Sequence, residues 1–169
     1  MERNSTDWGV YVKICPTDRN RKSYVLKNES CKIRYMKDLI RAKEKCGVPV
    51  LAAAMTDNVI HLLFGQTYDG EIEIFLRLAN ASFFSAYRKK FGSLRFRRVE
   101  EYCETEKHVA RVFNMLGKIN EEKSPNRKWN SVNFYKDGAW EWSELLSPEC
   151  LSKKFEISEG VLFVKGEFI

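Results

Sequence analysis

The chain lacks any apolar run approaching the ~18 residues needed to cross a bilayer, so no membrane-spanning helix is expected. Its opening residues, Met-Glu-Arg-Asn-Ser-Thr-Asp-Trp, contain no apolar core of the kind a secretory leader uses. No signal peptide is expected, and a cytoplasmic location is. Cysteine is sparse and scattered: Cys15, Cys31, Cys46, Cys103 and Cys150 are odd in number and form no Cys-x-x-Cys pair. That pattern suits reduced thiols and argues against a disulfide framework or a zinc site. Histidine is scarcer still, with His61 and His108 alone. The phosphate-cradling GxxxxGK[ST], the dinucleotide-binding GxGxxG, the zinc-peptidase HExxH and the hydrolase GxSxG are all missing.

What is present suits one small globular domain with a short appendage. Hydrophobic residues make up 44% of the 169, with 11 Phe and 4 Trp, ample for a core. The division expected is a domain over 1–139 and an appendage over 140–169. Glu141, Glu144, Glu149, Glu156, Glu159 and Glu167 make that appendage distinctly acidic. It is expected to pack on the domain or extend from it, with a short helix over 148–155 and a strand over 160–164. The net charge is +6 and the pI about 9.0, compatible with nucleic acid but not diagnostic. Distribution says more. Arg88, Lys89, Lys90, Arg95, Arg97 and Arg98 place six cations within eleven residues, broken by Phe91 and Phe96. A second cluster, Arg19-Asn20-Arg21-Lys22, also reads as an ordinary charged turn.

Periodicity gives a coarse element order. Residues 9–15 alternate as a strand. Residues 31–46 read as a helix with Ile33, Met36 and Ile40 on one stripe, Ser30 as N-cap and Gly47 just past the end. Residues 49–55 are a continuous apolar run suiting a central strand. Thr56-Asp57-Asn58 signals a turn, and 59–64 the returning strand. Residues 70–91 read as a long helix with Ile74, Leu78, Ala81 and Ser85 on its core stripe. A linker and short strand over 92–100 precede a last helix over 104–119. Strand, helix, strand, strand, helix, strand is the order of a ferredoxin-like α+β sandwich: a four-stranded antiparallel sheet with two main helices.

The most informative stretch is Met55-Thr56-Asp57-Asn58-Val59-Ile60-His61-Leu62. Strand side chains alternate, so positions 59 and 61 share a face. Histidines at both would set two imidazoles side by side, able to hold a divalent metal if a third side chain completed the shell. Here His61 is present and Val59 stands at the other position. Taken alone, a histidine beside Leu62-Leu63-Phe64 is more often a half-buried core residue than a ligand.

The wider context resembles the single-tyrosine HUH transposases, including the REP-associated ones. Their strand reads Met-Pro-Asn-His-Val-His-Leu-Leu. Against it Asn58, Ile60, His61, Leu62 and Leu63 stand in register, Met55 comes one residue early, Asp57 replaces Pro and Val59 replaces His. Trp8 to Lys13 with Thr17 to Lys22 resembles the family's first strand and polar hairpin. Leu78 to Phe91 resembles its helix ending in Tyr-x-Arg. Lys128-Trp129-Asn130-Ser131-Val132-Asn133-Phe134-Tyr135 is similar to its Trp-Ser-Ser-Tyr-x-x-Tyr. Together these cover about residues 8 to 136.

The resemblance implies an HUH-type variant of the ferredoxin-like fold and a DNA-nicking ancestry. In that chemistry a tyrosine attacks a phosphodiester while the histidine pair and Mg or Mn polarise the phosphate. It implies DNA as partner, hairpin or single-stranded, and a homodimer with no membrane association. The tyrosine position falls on or near Met115 or Leu116, and no tyrosine occurs between Tyr102 and Tyr135. A covalent mechanism needs its nucleophile and a metal needs its first shell. Two losses at coupled positions imply a domain that no longer cuts DNA. No bound metal or other cofactor is expected, because His61 with Glu101 or Glu104 would bind one weakly. His108 is expected to be exposed. The resemblance places the DNA surface at Arg88, Lys89, Lys90, Arg95, Arg97 and Arg98, and His61 as a catalytic remnant. The leading expectation is a DNA-binding, transposase-like protein without cleavage. The alternatives are an active transposase using Tyr87, Tyr102 or Tyr135, and an interaction protein that keeps only the fold.

Overall fold

The structure, a computed structural model, describes residues 8–19, 23–68, 70–90, 93–119, 128–151 and 153–166. Its centre is an antiparallel sheet. Strand β1 (Gly9–Asp18) pairs along one side with β4 (Ile60–Phe64) and along the other with β5 (Leu94–Cys103). Strand β3 (Val50–Met55) lies outside β4, so the four main strands run β5-β1-β4-β3. The two-residue β2 (Ser23–Tyr24) only extends the end of β1. This is the expected α+β sandwich, with longer first and last strands than the alternation predicts. β1 and β5 pair over ten residues each, and that pairing carries both past the apolar stretch.

Helices α1 (Glu29–Cys46) and α2 (Glu71–Tyr87) cover one face. They bury Tyr35, Met36, Leu39, Phe75, Leu76 and Phe83 against Val12, Ile14, Ile60, Leu62 and Phe64. α1 begins two residues earlier than the sequence suggests. Asn28, not Ser30, is the N-cap: its side-chain oxygen accepts from the Ser30 amide at 3.0 Å. Gly47 does end the helix, at φ 68, with its amide donating to the Lys43 carbonyl at 2.7 Å. α2 departs more. Its buried stripe is Ile72, Phe75, Leu76, Ala79 and Phe83. The expected core stripe of Ile74, Leu78, Ala81 and Ser85 faces solvent, with Ile74 54% exposed. Both faces are apolar enough to read as core, and packing selected the one with two phenylalanines.

Helix α3 (Glu106–Gly117) crosses the opposite face of the sheet, packing Val109, Val112, Phe113 and Leu116 on Tyr11, Leu51 and Leu63. The Thr105 hydroxyl caps it, accepting from the His108 amide at 3.1 Å. A short helix α4 (Val132–Asp137) follows. The segment after 139 packs on the domain. Trp140, Trp142, Leu145 and Leu146 join the α1/α2 core, whereas β6 (Phe155–Ser158) and β7 (Val161–Val164) form a hairpin against α3. The short helix expected over 148–155 reduces to one 3-10 turn, Pro148–Cys150. Gly160 turns the hairpin at φ 78, where a Cβ would sit 2.7 Å from Lys136 Cγ. No helix among the described residues is long and apolar enough to cross a membrane.

Candidate nucleic-acid interface

Strand alternation divides the side chains of β5 between two faces. Leu94 and Phe96 pack into the α1/α2 core. Arg95, Arg97, Val99 and Glu101 therefore lie on the other face. α3 and the C-terminal hairpin cover only part of that face. Its open part carries exposed Lys13, Arg95, Arg97, Val99 and Glu101, with half-buried Cys15 and His61. Register holds them together: Lys13 lies opposite His61 on one side and Val99 on the other, and Cys15 lies opposite Arg97.

His61 is the centre of this surface. Its Nδ1 lies 2.6 Å from the Tyr11 hydroxyl, with ring centroids 6.0 Å apart. Burial, with the Lys13 ammonium opposite, pushes the imidazole down to about 4, so the ring is neutral at neutral pH. Burial and then Glu101 push the Tyr11 phenol up to about 12. If Tyr11 donates, the ring carries its proton on Nε2 and has no lone pair to offer. If Nδ1–H donates instead, Nε2 can still ligate.

Val59 sits at the close of the β3–β4 turn. The Thr56 amide donates to its carbonyl at 2.9 Å, and its own amide donates to the Thr56 hydroxyl at 3.0 Å. Its isopropyl group contributes no ligand. Lys32, only 3% exposed, anchors the same turn from α1 by donating to Asp57 Oδ1 at 2.6 Å. Asp57, where the resembled strand has Pro, therefore has a structural partner. Glu101 lies 3.5 Å from His108 Nε2 and is exposed, as is Glu104. His108 itself is half-buried, which corrects the expectation of an exposed ring. One imidazole tied to a phenol, beside a valine, does not fit a two-histidine metal centre. No group of three metal-binding side chains occurs among the described residues.

Of the tyrosines weighed as displaced nucleophiles, two donate to backbone carbonyls and the third lies on the α2 side of the sheet. Tyr87 donates to the Ser30 carbonyl at 3.2 Å on the helix side. Tyr135 donates to the Leu51 carbonyl at 2.6 Å, and burial raises its phenol. Tyr102, 58% exposed, lines a polar cleft with Arg98, Glu100 and Glu73 on the α2 side of the sheet. Met115 is exposed near the end of α3 and Leu116 is buried. The tyrosine brought to His61 is Tyr11, which sequence reasoning missed. Its alternation with Val10 and Val12 marks it as lying on the second face, but nothing local shows that this face meets position 61.

The six cations also divide. Arg95 and Arg97 stand on the open face. Arg98 points to the α2 side, where it pairs with Glu73 at 2.5 Å and Glu100 at 3.1 Å. Arg88, Lys89 and Lys90 are exposed at the α2 C-terminus, with Lys90 Nζ 5.9 Å from the Tyr87 ring centre. Lys13 joins Arg95 and Arg97 without having been singled out from sequence. Arg19 is exposed, and 20–22 of the second cluster lie outside the described residues, as does Phe91.

The Trp129-Asn130-Ser131 stretch is architectural. Trp129 is fully buried. The Asn130 amide nitrogen donates to the carbonyls of Leu116, Gly117 and Ile119 at the end of α3. The Ser131 hydroxyl accepts from the Ala53 amide at 2.8 Å, and the Ser131 amide donates back to the Ala53 carbonyl at 2.9 Å.

Among solved structures, the chain matches a REP-associated tyrosine transposase bound to a REP hairpin, with a TM-score of 0.55 at 15% identity. The match covers 78% of this chain and 81% of that one. The chain has the fold of a tyrosine transposase. A crystal structure of a transposase assigned in Deinococcus radiodurans R1 matches at 20% identity over 68% of this chain and 93% of that one, with a TM-score of 0.42. No family profile and no curated protein matches the sequence.

Proposed function

We propose that this transposase-like chain binds hairpin or single-stranded DNA on the open face of its sheet and does not cleave it. One observation carries the reading. On a fold shared with a hairpin-bound transposase, Lys13, Arg95 and Arg97 project from the uncovered sheet face around a histidine whose pair position holds Val59 and whose Nδ1 is tied to the Tyr11 hydroxyl. Cations on such a face follow a phosphate backbone and release its counterions. Arg88, Lys89 and Lys90 extend the basic surface at the α2 end, and Arg98 contributes least because Glu73 and Glu100 already engage it. The described residues after 139 act as part of this domain, packing on its two cores. The apolar outer face of α2 supports a homodimer, and the scattered free cysteines support a reducing, cytoplasmic setting.

The test is incubation of the protein with labelled hairpin and single-stranded DNA at low salt in the presence of Mn²⁺. Binding without a covalent adduct is expected. No binding to either DNA would favour a chain that keeps only the fold for protein interaction. A covalent adduct would favour active cleavage, and one observation supports that second reading: the Tyr11–His61 contact has the form of a nucleophile beside a base. An adduct lost in Tyr11→Phe would establish it. Against it stand the burial of Tyr11 and its raised phenol.

A further inference from the structure

A cavity of about 410 Å³ opens where the appendage meets the sheet. It lies at the end where β1 begins, whereas Arg95 and Arg97 pair with the far end of that strand. The domain supplies Trp8, Pro49 and Leu51 to its walls, and the appendage supplies Glu149, Lys153 and Phe155. Backbone bonds fix both sides. The Gly65 amide donates to the Pro49 carbonyl at 2.9 Å, the Phe155 amide to the Leu151 carbonyl at 3.0 Å, and the Lys165 amide to the Lys154 carbonyl at 2.9 Å. Ligand sites are largely preformed, mostly apolar hollows of about 300–1,000 Å³ with a few placed polar groups. This one has that size and that build.

Its lining is graded from apolar to charged. Leu51 and Phe155 are buried in the α3 core, and half-buried Trp8 packs against them. Glu149, Lys153 and Lys154 are exposed at the opening. Lys154 is already engaged, with Nζ 3.8 Å from the Trp8 ring centre and 3.7 Å from Glu106 Oε1. An incoming molecule therefore meets charges of both signs, Lys153 and Glu149. Water at depth gains little from apolar walls, so an apolar body displaces it favourably. Two aromatic side chains in those walls suit a flat ring. An apolar body with a carboxylate for Lys153 and an ammonium for Glu149 satisfies all three features, each charge making a charge-assisted hydrogen bond. An aryl acid offers Glu149 nothing, and a nucleotide brings it a repelling phosphate.

We infer that this cavity binds a free α-amino acid with a large apolar side chain. The side chain enters beside Trp8 and Phe155, the carboxylate accepts from Lys153 Nζ, and the ammonium donates to Glu149. Domain and appendage each carry half of the site. The ligand thus binds only the docked appendage and holds it on the sheet by mass action. This site and the DNA-binding face stand or fall separately.

L-Phenylalanine is the probe, compared with phenylacetate, which lacks the ammonium, and phenethylamine, which lacks the carboxylate. Calorimetry is expected to show saturable phenylalanine binding, with each truncated compound weaker by at least about threefold. Lys153→Ala should weaken phenylalanine and phenylacetate and leave phenethylamine unchanged. Glu149→Gln should weaken phenylalanine and phenethylamine and leave phenylacetate unchanged. Cys150 gives a reading that needs no variant, because its exposed free thiol lines the same cavity. Phenylalanine should slow alkylation of Cys150 by iodoacetamide and leave Cys15 on the open face unaffected. No binding and no Cys150 protection at about 10 mM phenylalanine, roughly ten times what half-saturates a millimolar site, would overturn the site. Binding indifferent to both variants would do the same. Phenylacetate as tight as phenylalanine, or deoxyadenosine monophosphate tighter than either, would overturn the amino-acid assignment.

Discussion

Tyr11 Oη and His61 Nδ1 lie 2.6 Å apart across the β1–β4 pair, 50 positions apart in the chain. The contact joins two perturbed groups in one place, a phenol pushed up and an imidazole pushed down. Both shifts favour the neutral forms, which suit a single shared hydrogen bond. The centre of the open face is thus held rigid and uncharged while Lys13, Arg95 and Arg97 surround it.

His61 is expected to titrate near 4, measured by the pH dependence of its ring resonances. The folded ring resists protonation, whereas the unfolded ring takes its proton near 6.5. Between those values the unfolded state binds more protons, so stability rises with pH across that window and is lost on acidification through it. Lys13→Met should raise the His61 value yet leave it below 6.5, because burial is the larger cause. A ring titrating near 6.5 in the unmodified protein would contradict this.

Removing Arg95 and Arg97 together should weaken binding to all DNA sequences and flatten the salt slope. Each lost phosphate contact should reduce the slope by about 0.7 to 0.9, so the pair should cost about 1.4 to 1.8 units. Arg98→Ala should change the slope far less. Fluorescence anisotropy at several salt concentrations separates the two cases, and an equal effect of Arg98 would place the DNA on both faces of β5.

Asn130→Ala should destabilise the domain by about 2–4 kcal/mol, since it strips a buried donor from the last carbonyls of α3 and leaves them without a replacement. Urea unfolding gives the magnitude. Hydrogen exchange should show α3 loosening before α1. A loss under about 0.5 kcal/mol would mean that water satisfies those carbonyls.

Val59→His should introduce Mn²⁺ affinity measurable by calorimetry, because it sets a second imidazole near His61. Combining it with Tyr11→Phe should strengthen binding further, since His61 is then released from its phenol. Tight Mn²⁺ binding by the unmodified protein would show that His61 ligates without a second histidine.

The local signals sufficed for the order of elements. A continuous apolar run, a turn at Thr56-Asp57-Asn58, and Gly47 after a periodic stretch dictate strand, turn and helix end through backbone geometry, which is a property of neighbours. The same holds for the absence of histidine at position 59 and of tyrosine on α3, which needs no structure to see. Other choices required the packed chain. Whether α2 buried Phe75 or Ile74 depended on the surface it met, because both stripes are apolar. That Arg97 is free and Arg98 is paired follows from which face of β5 received α2. Tyr11 reached His61 only because β1 and β4 became neighbours in one register. Short-range periodicity is written in consecutive residues, whereas contacts between strands 50 residues apart are set by how the faces of the whole sheet are covered.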